Sequence, residues 1–463
     1  MEPDMSIAHL LPEGLAADIE AACGARIAAI RPRGGGGASR EGAEIDLVWP
    51  DARTASAYMN YDVHKAGAGD DAAFLREAAV LRALSGPLAG AGVRTAPYFA
   101  SLPQRRALLC GLVSGKDRFA AIADAAQRHA LAGDFMAQLA ALHRIDVAAT
   151  PVEGMGAVLP TAALIGERIA ALRAANTGRN WDPLIHLSLG WLEANIPAEM
   201  PPPVIVHGDA GAGNFLFEGD HVTALLDWEL VHYGDPMADL AMLCLRMLFQ
   251  DFVPPIEAFA AYEAAGGYPV DLARVRYWRL LFQTGFARRA RYDDPDAPPP
   301  PNLGMNMVYS TIHRRVLSEA LAEAAGIALP AVDLPEATVG AHHRSFDIAL
   351  DDIRETIVPR IADQQAAVKA KGLARLIKWW RAIERYEPAY QACEKREIEA
   401  LLGLQFADHP AAWSAFRDEV ADDRVATEAA IILCNAHETR AAALMADAMG
   451  GLAGTRFAPL GPD

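Results

Sequence analysis

Apolar positions along the chain keep two rhythms. In the first ~115 residues they alternate with polar ones. "AEIDLVW" (43–49) and "ASAYMNYD" (55–62) read as strands with one face turned inward. "ARIAAIRPR" (25–33) predicts a strand that runs into the glycine-rich "GGGGASREG", Gly34 to Gly42. "APYFASL" (96–102) and "RALLCGLV" (106–113) predict two more. Two helices interrupt this region, one over about 12–24 and one over "DDAAFLREAAVLRALSG" (70–86). In the second, Phe74, Leu75, Ala78, Leu81 and Leu84 recur at threes and fours, Asp70 or Asp71 caps the start and Gly86 ends it.

From Phe119 onward the helical period dominates. "ALAGDFMAQLAALHRID" (130–146) places Phe135, Leu139 and Leu142 on one face. Helices are expected over roughly 161–196, over "MADLAMLCLRMLFQ" (237–250) and over "DLARVRYWRLLFQTGFARRARY" (271–292). Short apolar strands are expected between Val204 and Trp228. The proline-rich "DDPDAPPPPNLG" (293–304) is a loop. Beyond "DLPEATVGAHH" (333–343) only helices are expected; Trp379 and Trp380 would face a partner or, as large aromatics on a helix usually do, a core. The partition is residues 1–116, 117–330 and 331–463, the last a helical region of ordinary domain size that would meet a protein partner or a second copy.

Composition narrows the function. The net charge of −17 disfavours nonspecific binding to nucleic acid or to anionic membranes. Five scattered cysteines without a CxxC pair argue against a disulfide framework and a zinc site. No run reaches the roughly 18 apolar residues of a membrane helix. The start, "MEPDMSIAHLLPEG", has neither a basic beginning nor an apolar signal core. The expectation is a cytoplasmic protein.

The chemistry concentrates in "VHGDAGAGNFLFEGDHVTALLDWELVHYGDP", Val206 to Pro236. Asp209 stands at the end of an apolar strand, Asn214 five residues later, and Asp227 at the end of the next apolar run. A carboxylate able to take a hydroxyl proton, beside an amide oxygen and a second carboxylate able to hold magnesium, suits phosphoryl transfer. That reaction needs positioning and charge neutralisation more than covalent help.

"HGDAGAGN", "LLDWE" and "GDPMADLA" together resemble the aminoglycoside phosphotransferase family of small-molecule kinases over about residues 10–325. The resemblance implies an α+β, bilobal, protein-kinase-like fold, with a strand-rich N-lobe and a mostly helical C-lobe; an additional C-terminal all-helical region follows. It implies ATP and Mg2+ as cofactors. It makes Asp209 the catalytic base, His207 the residue that positions the loop backbone, and Asn214 and Asp227 the metal ligands. Asp235 and Asp239 become ties between the loop and later helices. Gly35, Gly36, Gly37, Ser39 and Arg40 resemble the loop over the ATP phosphates, where glycines let backbone N–H groups approach closely.

Glu77 fits the helix glutamate that pairs with a basic residue on the third strand. That basic residue is missing: Asn60 and Tyr61 stand where it is expected, and Lys65 and Arg40 are the candidates to replace it. "LLDWELVHYGDPMADLA" looks closest to the branch related to the kinase portions of acyl-CoA dehydrogenase fusion proteins. This favours a hydroxyacyl-CoA or related intermediate as the hydroxyl acceptor over an antibiotic of the aminoglycoside or macrolide type. The acidic surface points instead to a cationic acceptor. The basic run "ARRARY" (287–292) would suit a phosphate-bearing substrate, although an ordinary solvated helix end is the simpler reading. A pseudokinase that binds a ligand or partner is the alternative from another class, and the gap at Asn60 and Tyr61 supports it.

Overall fold

The structure is a computed structural model that describes residues 11–33, 41–62, 72–287 and 300–461. Alternation along the N-terminal strands produces a five-stranded antiparallel sheet of order β1-β2-β3-β5-β4. Its strands are β1 (Arg26–Arg33), β2 (Glu41–Val48), β3 (Thr54–Tyr61), β4 (Tyr98–Leu102) and β5 (Ala107–Gly111). Ala43, Ile45 and Leu47 on β2 and Ala57, Met59 and Tyr61 on β3 turn to one face. They pack with Leu15 and Ile19 of α1 (Leu15–Cys23). Each large apolar side chain buried there contributes about 2 kcal/mol. Tyr58 and Asn60 alternate onto the opposite face, opposite Cys110 and Leu108 of β5. Helix α2 (Ala72–Leu84) lies between β3 and β4 in the chain and buries Phe74, Glu77, Ala78 and Leu81.

The expected strands, the helix between them and the later helices are all present. The glycine-rich run at 34–40, with Gly35, Gly36, Gly37, Ser39 and Arg40, lies outside the described residues, as do Lys65 and 288–292 of the basic run.

After α3 (Ala125–His143), α4 (Thr161–Ala175) and α5 (Pro183–Ala194), four short strands follow. β6 (Val204–Val206) pairs with β9 (His232–Gly234), and β7 (Phe215–Glu218) forms a hairpin with β8 (His221–Leu225). Then come α6 (Met237–Arg246), α7 (Pro255–Ala264), α8 (Leu272–Phe286) and α9 (Leu303–Ala325). The last helices are α10 (His343–Asp351), α11 (Gln364–Leu402), α12 (His409–Ala421) and α13 (Thr427–Met449). Among the described residues no helix is long and apolar enough to cross a membrane.

The chain forms two compact units. One comprises Met1–Leu164, Glu199–Val275 and Ala458–Asp463; the other comprises Ile165–Ala198 and Arg276–Phe457. This division does not run along the sequence cuts at 116 and 330. Within the second unit α9 packs on α11 and α13. Arg314 of α9 is buried there, its Nη2 2.9 Å from Asp182 and 2.6 Å from Glu438. Removing one partner of such a buried pair costs about 3–5 kcal/mol. α9 therefore belongs with the C-terminal helices, although its sequence position groups it with the preceding region. The expectation that Trp380 faces a core is corrected: its side is 47% exposed, while neighbouring Leu376 fills the buried position.

Candidate active site

The site is built in the first unit from β6 upward. Val204, Ile205 and Val206 are fully buried, which fixes where the chain emerges as His207, Gly208 and Asp209. Gly208 has φ 86°, and a Cβ there would lie 2.2 Å from the Leu230 carbonyl oxygen, so no other residue fits without moving that segment. Asp239, on the first turn of α6, accepts the N–H of His207 and of Gly208, each at 2.8 Å. His143 Nε2 lies 3.0 Å from the same carboxylate, and its Nδ1 lies 2.8 Å from the Tyr262 hydroxyl. Burial raises the pKa of Asp239, but the hydrogen bonds from His143 and from the Gly208 N–H outweigh it. The carboxyl is held below its ordinary range. Asp239 and the packed His143 are thus ties for the loop, as the sequence suggests for Asp239.

His207 is buried, and burial pushes its pKa down, so the neutral ring is favoured. Its Nδ1 accepts the Asp209 N–H at 3.2 Å, which leaves Nε2 to donate to the Leu226 carbonyl at 2.9 Å. One neutral ring thereby links the Asp209 turn to the residue before Asp227.

Each polar position is anchored by an apolar neighbour. Phe215, next to Asn214, packs against Phe135 at 4.7 Å between ring centroids. Trp228, next to Asp227, is buried and sits 4.6 Å from the His207 ring. Asp235 caps α6 through the Met237 N–H and lies 3.3 Å from Arg274.

Asp209 and Asn214 meet. Asn214 Nδ2 donates to Asp209 Oδ2 at 2.6 Å and to its carbonyl at 2.9 Å. The Leu226 N–H donates to the Asn214 carbonyl at 2.8 Å, which brings Asp227 beside the pair. Asp227 is exposed and held at φ 62°, a left-handed conformation that costs a non-glycine residue about 1–3 kcal/mol and recurs at functional sites. The amide oxygen of Asn214 and the carboxylate of Asp227 are hard donors of the kind magnesium takes. A cation already stands at the first: Arg246 Nη2 lies 3.2 Å from Asn214 Oδ1. The donors fit the metal.

Arg246 has no place in the motifs. It ends α6 and donates to Asp209 Oδ2 at 2.6 Å and to the Ala212 carbonyl at 2.8 Å. Its only sequence signal is the spacing of seven from Asp239, two helical turns along the same face.

The region expected to face a nucleotide is described in part. Glu77 is buried on α2, and burial together with its carboxylate pushes the Cys110 thiol up to about 12. Asn60 lies on the same strand face as Tyr58, opposite Cys110, so an amide stands where a base was expected. The α2 helix packs on the turn at Trp228–Leu230, and Arg76 Nε donates to the Val231 carbonyl at 3.2 Å. The helix of Glu77 is thus docked on the segment that follows Asp227.

Residues 63–278 match the phosphotransferase enzyme family. Among curated relatives, the chain is 28% identical over 153 residues to acyl-CoA dehydrogenase family member 11 of Pongo abelii, covering 31% of this chain and 19% of that protein. It is 31% identical over 126 residues to family member 10 of Mus musculus, covering 26% and 11%. The chain thus spans a minor part of the relatives it matches. A crystal structure from Ralstonia eutropha JMP134, provisionally assigned as an aminoglycoside phosphotransferase, is 22% identical with a TM-score of 0.50. That match covers 65% of this chain and 93% of the other. The likeness shows a shared kinase-like fold. Through residues 63–278, just under half of its length, the chain is similar to the phosphotransferase enzyme family.

Proposed function

We propose that the protein is an ATP- and magnesium-dependent kinase that phosphorylates a hydroxyl of a small molecule. The observation that carries this reading is the contact of Asp209 with Asn214, with Asp227 held beside them by the Leu226–Asn214 backbone bond.

In this mechanism the acceptor oxygen bonds to the γ-phosphorus. The bridging P–O bond breaks, and its electron pair leaves with ADP. The hydroxyl proton passes to the Asp209 carboxylate. His207 stays neutral and orients the loop through its two ring hydrogen bonds. Asn214 Oδ1 and Asp227 would hold magnesium, which when bound neutralises charge on the nucleotide phosphates. An amide oxygen has two lone pairs, so Asn214 can keep Arg246 and still bind a cation.

A hydroxyacyl-CoA thioester or related intermediate is the acceptor class that the named relatives favour, since both are called acyl-CoA dehydrogenase family members. The pseudokinase alternative rests on Asn60, which brings no charge to the nucleotide phosphates. A screen of hydroxyacyl-CoA thioesters, aminoglycosides and macrolides for acceptor-dependent ADP formation tests the proposal. Turnover with the thioesters supports it in full. Turnover with antibiotics alone overturns the acceptor class. ATP binding with no turnover on any compound favours the pseudokinase.

A further inference from the structure

The four residues between Asp209 and Asn214 are Ala-Gly-Ala-Gly, so this loop brings no charged side chain to the site. One enters from below. Arg246 Nη1 donates to Asp209 Oδ2 at 2.6 Å, and Nη2 donates to the Ala212 carbonyl at 2.8 Å, to Asn214 Oδ1 at 3.2 Å and to Gln250 Oε1 at 3.2 Å. Nε also reaches the Ala212 carbonyl, at 3.3 Å. The side chain is only 16% exposed. Room for it exists because residue 211 is glycine: a Cβ there would lie 2.7 Å from Arg246 Cδ. The same helix holds the start of the loop through Asp239, about 10 Å earlier along its axis. Oδ2 of Asp209 thus accepts from both Asn214 and Arg246. Among the described residues no hydrogen bond reaches Oδ1.

We propose that Arg246 is a positioning residue for phosphoryl transfer, whose planar guanidinium locks Asp209 by Oδ2 and reserves Oδ1 for the acceptor's proton. The proposal rests on the phosphotransferase reading above. Arginine is required because a fixed fork serves the carboxylate, the carbonyl and the amide at once; a lysine ammonium keeps the charge and loses the fork.

The test uses the full chain with magnesium–ATP and water as the acceptor, following release of labelled γ-phosphate. In that step the water oxygen bonds to the γ-phosphorus, the β,γ-bridging P–O bond breaks with its electron pair leaving on ADP, and a water proton goes to Asp209. For R246A, kcat should fall about 100-fold, the scale of a misplaced general base. KM for ATP and calorimetric affinity for magnesium–ATP should stay within about twofold. Added guanidinium ion should restore part of kcat, and R246K should fall between wild type and R246A. Unchanged kcat in both variants overturns the proposal, as does a rise in KM with kcat preserved, which would make Arg246 a nucleotide contact. Loss of kcat without rescue by guanidinium or partial retention in R246K also overturns it, marking a merely structural role. A wild-type chain that releases no phosphate to water and transfers none to any acceptor of the screen above overturns the parent reading, and the proposal with it.

Discussion

The loop around Asp209 and the strand–helix pair of Asn60 and Glu77 are both parts of the first unit, and they are built differently. The loop is over-determined. Asp239 holds its first two amides, His207 and Asn214 tie it to the segment before Asp227, and Arg246 holds its carboxylate. The strand–helix pair sets a buried carboxylate on α2 without the expected basic residue on β3; an amide stands at Asn60 instead. On the proposed function, the difference would put the positioning of the acceptor in a dense hydrogen-bond network and leave the hold on the nucleotide phosphates to residues other than Asn60.

Removing the acceptor's proton sink should be the most damaging change on the loop side. D209A should lower turnover by about 10²–10⁴-fold, with magnesium–ATP affinity retained in calorimetry. A variant that keeps its turnover would refute the role given to Asp209. Next comes the tie beneath it. D239N removes a charged acceptor from two backbone amides and from His143, and should destabilise the protein by about 3–5 kcal/mol in urea titrations; a loss below about 1 kcal/mol would show that the loop is not held from α6.

On the nucleotide side the comparison predicts a gain. N60K supplies the cation that the phosphotransferase reading expects on β3, and should tighten magnesium–ATP binding roughly tenfold, or about 1.4 kcal/mol. N60K/E77Q should lose that gain. Equal affinity for N60K and wild type would mean that another group already does this work.

The smallest effect is that of acid on the loop. The pKa of His207 is lowered by burial in the folded protein. Its contribution is therefore complete above the unfolded value of about 6.5 and is lost as pH falls from there toward the folded pKa. Urea midpoints measured between pH 7 and pH 5 should decline, and H207N should flatten the decline. An equal slope in both proteins would assign the acid sensitivity to other groups.

The loop was legible in the sequence because its parts lie within one stretch: apolar runs fix the strand ends, and the polar residues fall between them. Asp209 and Asn214 meet, and the Leu226–Asn214 backbone bond brings the segment that carries Asp227 alongside. Arg246 was not legible, since an arginine at a helix end chooses its partner in three dimensions, and the space left by Gly211 decides the matter. The affiliation of α9 was hidden for the same reason. Its apolar stripe announces a buried face but not that α11 and α13 cover it. The gap at Asn60 could be read directly from the alternation of β3, which sets Asn60 on the face away from Met59.

On the proposed function, Asn214 and Asp227 hold the metal of a phosphotransfer site. Calorimetric titration of ATP into the wild type and D227A, with and without magnesium, tests it most directly. Magnesium-dependent binding in the wild type that disappears in D227A is the predicted result. Binding that is indifferent to magnesium, or that survives unchanged in D227A, would contradict it.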